Sequence, residues 1–144
     1  MITQRTGDAR LLRLAAFLRT LPRKRFNYNV WVGHDWRGAA DLSCGTTACA
    51  LGWATTIPSL RRAGLQLVSR GIGQYGYVVL KTKGRRQVYS SMTAAQEVFS
   101  LNELEASYIF VPSDDGDATA KQVARKIERF VSSGHVIPGQ PSYV

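Results

Sequence analysis

Apolar residues recur at helical spacing near both ends of this chain and fill short strand-like runs between them. That change of period narrows the fold more than any other feature. In residues 8–21, Leu11, Leu14, Ala15, Leu18 and Leu21 form one stripe, with Phe17 at its border and Arg10, Arg13 and Arg19 largely outside it. Thr6 or Asp8 is placed to cap this helix and Pro22 to end it. Residues 117–133 repeat the pattern with Ala120, Val123, Ala124, Ile127, Phe130 and Val131 inward, closed by Gly134. In the middle, LQLVSR, YGYVVLKT and RRQVYS read as strands, with TKGR supplying a hairpin turn between the last two. A helix over roughly 46–56, capped by Ser43 or Thr46, and a helical turn from Pro58 to Gly64 precede them. SMTAAQEVF reads as a further short helix, and Ser100 with Glu103 as a capping box for LNELEASYIF. The expectation is one α+β domain over residues 1–144, with about four to five helices, a small antiparallel sheet of about three strands and an extended tail at 137–144.

A chain of 144 residues with 44% hydrophobic content buries a core without a metal or disulfide staple. Its opening, MITQRTGDARLLRL, lacks the apolar stretch of a signal peptide, and Arg10, Arg13 and Arg19 interrupt the best membrane-span candidate. The two cysteines, Cys44 and Cys49, are therefore expected to be reduced in a cytoplasm.

Charge is the strongest compositional signal, with 19 Lys and Arg against 10 Asp and Glu. The excess is uneven. Residues 1–25 carry Arg5, Arg10, Arg13, Arg19, Arg23, Lys24 and Arg25 against Asp8 alone, and residues 70–86 carry Arg70, Lys81, Lys83, Arg85 and Arg86 with no acid. Such blocks attract polyanions by steering and counterion release, so the expected partner is a nucleic acid or an acidic protein, not a membrane. Arg19, Arg23, Lys24, Arg25, Lys81, Lys83, Arg85 and Arg86 are the expected contact residues. Tyr75, Tyr77 and Tyr89 interleave with the hairpin cations, as in platforms that stack bases and track a backbone. Lys121, Arg125, Lys126 and Arg129 give the last helix a basic outer face, and dipole complementarity accounts only for those nearest its end.

The string SCGTTACALGWA is the most distinctive in the chain. A thiol at Cys44 would sit at the positive end of a helix dipole, which favours thiolate. Together with His34 and Asp35 it suggests a cysteine-dependent enzyme, in which His34 serves as base. Packing is the simpler account, because Cys49, Trp53 and Ile57 share a stripe beside the small residues Ala48, Ala50, Gly52 and Ala54. Trp53 is accordingly expected in the core. The spacing C-x4-C, with only His34 and His135 as nitrogen ligands, does not make a zinc site, and no cofactor is expected. GIGQYG precedes a strand instead of opening a helix and fails as a phosphate loop. MTAAQEVFSLNELEASYIF reads as two packed core helices, since its second helix opens on Asn102, Glu103 and Glu105 and would repel DNA.

Taken in order, RFNYNVW, CGTTACALGWA, Pro58, Gly64–Leu65 and AAQEVFSLNELEASYIF resemble small proteins of tailed bacteriophages and prophages. The shared motif is Cys-Gly-Thr-x-Ala-Cys-x-x-Gly-Trp/His-Ala, matched at Cys44, Gly45, Thr46, Ala48, Cys49, Gly52, Trp53 and Ala54. The resemblance spans about residues 25–131 and implies a setting, the cytoplasm of an infected bacterium, without an activity. The resulting expectation is an accessory protein that binds nucleic acid or an acidic host macromolecule, as a counter-defence inhibitor would. The alternatives are the cysteine enzyme centred on Cys44 and His34, and a virion or assembly component that contacts DNA.

Overall fold

The computed structural model describes residues 2–22, 25–26, 49–68, 77–82, 88–111 and 118–139. In chain order these form α1 (Gln4–Leu18), α2 (Ala50–Ala54), α3 (Pro58–Arg62), β1 (Leu65–Val68), β2 (Tyr77–Lys81), β3 (Val88–Ser90), α4 (Ser91–Phe99), α5 (Glu103–Phe110) and α6 (Ala120–Ser132). The fold is α+β, as the periodicity implies.

The strands lie in the order β1-β2-β3, all antiparallel. The register sets Leu65 opposite Leu80 and Leu67 opposite Val78, so one face of the sheet joins the core with all four side chains. α4 packs against β2 and β3. Much of the remaining core comes from the stripes of α1 (Leu11, Leu14, Ala15, Leu18) and α6 (Val123, Ala124, Ile127, Phe130), which pack against each other and are buried throughout. α4 and α5 pack as a core pair, with the rings of Phe99 and Phe110 stacked at 5.4 Å.

Several boundaries differ from expectation. α1 starts four residues before Asp8, because the Thr3 side chain accepts from the Thr6 N–H and takes the capping role expected of Thr6 or Asp8. α1 also ends at Leu18, short of Pro22. α2 begins at Ala50 with Cys49 as its cap residue, so Cys49 precedes the helix instead of lying within it. α5 is capped by Asn102, whose side chain accepts from the Glu105 N–H while Glu105 accepts from the Asn102 N–H. Ser100, expected as that cap, instead closes α4 in the left-handed region at φ 56°, and the Leu101 N–H reaches back to the Gln96 carbonyl at 2.9 Å.

Two glycines are required by close approach. Gly7 lies where α1 crosses the end of α4; an added Cβ would stand 2.6 Å from the Phe99 carbonyl carbon and closer still to its oxygen. Gly64, at φ 109°, ends the α3 turn and would meet the Lys81 carbonyl in the same way. Its own carbonyl accepts from the Lys81 N–H at 3.0 Å.

Trp53 is core, as expected. It is 3% exposed, donates its indole N–H to the Arg25 carbonyl at 2.8 Å and packs against Phe17 with ring centroids 5.9 Å apart. Cys49 is equally buried, and burial pushes its thiol up to about 11, although the backbone N–H groups of Gly52 and Leu51 act in the opposite direction. A helix N-terminus ordinarily favours thiolate; here desolvation outweighs it. Cys49 should therefore resist iodoacetamide in the folded protein at pH 8 and react fully once unfolded. Peptide mass mapping checks this, and rapid native labelling at Cys49 would contradict it.

Candidate anion-binding cleft

α6 supplies the site. Its N-terminus is fixed by a capping box in which the Thr119 side chain accepts from the Gln122 N–H and Gln122 accepts from the Thr119 N–H. With Val123, Ala124, Ile127 and Phe130 turned into the core, Lys121, Arg125 and Arg129 are left exposed and Lys126 half-buried. Arg19 of α1 pairs with Glu128 and holds the two helices together at the surface. Hydrogen bonding to Glu128 raises the Arg19 guanidinium further, and the same bond lowers the Glu128 carboxyl.

α5 forms the second wall. The Lys126 ammonium donates to the Tyr108 carbonyl at 3.1 Å and lies 5.0 Å from the centre of the Tyr108 ring. Burial raises the Tyr108 hydroxyl, with the charge of Arg129 opposing the shift. Lys126 is therefore a cation held at a defined place.

The third wall is the segment after α6. Gly134 adopts φ 74° and the His135 N–H reaches back to the Phe130 carbonyl at 2.9 Å, a left-handed helix end that turns the chain across α5. The His135 ring stacks on Phe130 at 4.3 Å and makes the apolar contact usual at such an end. Its Nδ1 lies 2.9 Å from a Glu105 oxygen and its Nε2 2.6 Å from an Asp8 oxygen. Both contacts are hydrogen bonds when both ring nitrogens carry protons. Glu105 thus caps α5 with one oxygen and clasps His135 with the other. The clasp ties the segment carrying Ser133, Val136 and Pro138 to α1 and α5.

These walls enclose a cleft of about 650 Å³, lined by Tyr108, Ala118, Gln122, Val123, Arg125, Lys126, Arg129, Phe130, Ser133, Val136 and Pro138. One side is cationic and the other apolar. Arg125 and Arg129 lie one helical turn apart, the spacing at which neighbouring side chains reach a common point. Among the described residues, neither is in an ion pair.

Of the expected contact residues, the described ones, Arg19, Arg25 and Lys81, do not line this cleft. Arg19 is occupied by Glu128. Arg25 places its guanidinium 4.7 Å from the centre of the Trp53 ring, and exposed Lys81 ends β2 opposite Val88. Arg23, Lys24, Lys83, Arg85 and Arg86 lie outside the described residues, as do Cys44 and His34 of the enzyme alternative. Among the described residues, no three His, Cys, Asp or Glu side chains are placed to hold a metal ion, and no helix is long and apolar enough to cross a membrane. The basic face of the last helix was visible in the sequence. Its partners Tyr108, Val136 and Pro138 had no local signal to connect them with it. No known protein family, curated protein or solved structure matches this chain.

Proposed function

We propose that this protein is a phage or prophage accessory protein that works by binding nucleic acid, with the α6 cleft as a principal contact. The observation that carries this reading is that Arg125, Lys126 and Arg129 of α6 all line one cleft. An anion near the C-terminal half of a helix is disfavoured by the dipole by about 0.3–1 kcal/mol. Arg129 alone would offset that at the helix end. Three cations exceed the requirement, and arginine forks suit phosphate oxygens in particular. The net charge of +9 adds long-range attraction. The phage setting comes from the motif around Cys44 to Ala54. Counter-defence is one use such a binder would have.

The test is a salt titration of binding to a labelled single-stranded oligonucleotide. Three phosphate contacts should give a slope of log affinity against log salt of about −2, since each contact on a single strand contributes about −0.7. Affinity should depend little on sequence, because phosphate contacts position a strand without reading it. Absence of binding below physiological salt would overturn the proposal. So would capture of an acidic host protein that persists after nuclease treatment, with no oligonucleotide binding.

A further inference from the structure

We infer that the α6 cleft holds a single nucleotide unit, with its phosphate on Arg125 and Arg129 and its sugar and base along the apolar wall. The inference rests on the nucleic-acid reading above and assigns the ligand class of the same site. Size is the first argument. A cleft of about 650 Å³ lies in the range of small-molecule sites, roughly 300–1,000 Å³, and far exceeds what an inorganic ion fills. Its lining is the second argument, because it is divided. Arg125, Lys126 and Arg129 present donors from α6, whereas Val136 and Pro138 present carbon from the segment that follows it. A free phosphate or a flexible acidic side chain would use only the first half. A phosphate ester of a planar, weakly polar body uses both.

Rigidity is the third argument. Lys126 is anchored on Tyr108, and the Val136 wall is held by the His135 clasp to Asp8 and Glu105. A preformed pocket loses little ordering entropy when a nucleotide enters. Gln122, one turn before Lys126 and in the same lining, has its Oε1 engaged by the Thr119 N–H and leaves its NH2 group to donate to a base edge or ribose hydroxyl.

The experiment is calorimetric titration of the full chain with a nucleoside monophosphate, the matching nucleoside, inorganic phosphate and a short poly-glutamate peptide, alongside the labelled oligonucleotide. The monophosphate should bind more tightly than phosphate or nucleoside and should displace the oligonucleotide. Arg125→Gln and Arg129→Gln should each weaken monophosphate binding about tenfold, the usual loss of one charge-assisted contact. Val136→Asp should weaken the monophosphate more than inorganic phosphate. Oligonucleotide binding that survives both arginine variants, or that the monophosphate does not displace, overturns this inference and leaves nucleic-acid binding standing. Monophosphate binding without oligonucleotide binding supports the pocket and overturns the strand reading. Equal binding of poly-glutamate and monophosphate overturns the nucleotide assignment.

Discussion

Gly7→Ala should destabilise the protein by about 3 kcal/mol or more, although helix propensity alone would favour alanine by about 1 kcal/mol. The sign is set by a contact between helices. Gly7 is buried in the second turn of α1, where the helix backbone meets the end of α4, and the added methyl would overlap the carbonyl of Phe99. Backbone cannot rotate aside as a side chain can. Relief would require α1 to lift from α4, which would stretch the 2.8 Å bond from the Arg10 guanidinium to the Val98 carbonyl. It would also disturb the Leu11 and Leu14 packing that follows in the same stripe. Urea unfolding of the two proteins measures the difference. An unchanged or raised midpoint would mean that α1 and α4 do not cross at this point.

Trp53→Ala should cost about 3–5 kcal/mol, the range for removing a large aromatic from a packed core. The indole touches Phe17 of α1, lies beneath the Arg25 guanidinium and donates to the Arg25 carbonyl, so it joins α2 to α1 and to the chain that follows it. Trp53→Phe separates the parts of the effect. It keeps much of the apolar contact but leaves the Arg25 carbonyl without its donor, and should cost about 1–3 kcal/mol. Thermal melts of both variants provide the check. An unchanged melting temperature for Trp53→Ala would place the indole outside the core.

What could be read from the sequence was whatever repeats at a fixed local period. The stripes of α1 and α6, the three strands and the burial of Cys49 and Trp53 follow from the spacing of apolar residues, and the structure has them. Features set by distant partners could not be read this way. Gly7 looks like a weak point in a helix until Phe99 is brought against it. Ser100 has the spacing of a cap to Glu103, yet its left-handed backbone closes the preceding helix. The His135 clasp joins residues 127 and 30 positions away, a separation that no local pattern encodes. The cleft shows the same division. The basic face of α6 is a sequence feature, whereas the walls that make it concave come from α5 and the segment beyond Gly134.

Phosphate binding by the α6 face is open to a single comparison. Arg125, Lys126 and Arg129 are changed together to Gln, and the salt dependence of oligonucleotide binding is measured for this variant and the parent. The solvated positions of Arg125 and Arg129 mean that their loss should affect folding little, and circular dichroism melts check that the triple variant remains folded. If the three α6 cations make three ionic contacts with the strand, within the cleft and beside it, the variant should bind far more weakly at low salt and its slope should flatten by about 2. A folded variant with the parent's affinity and slope would remove α6 from the binding surface.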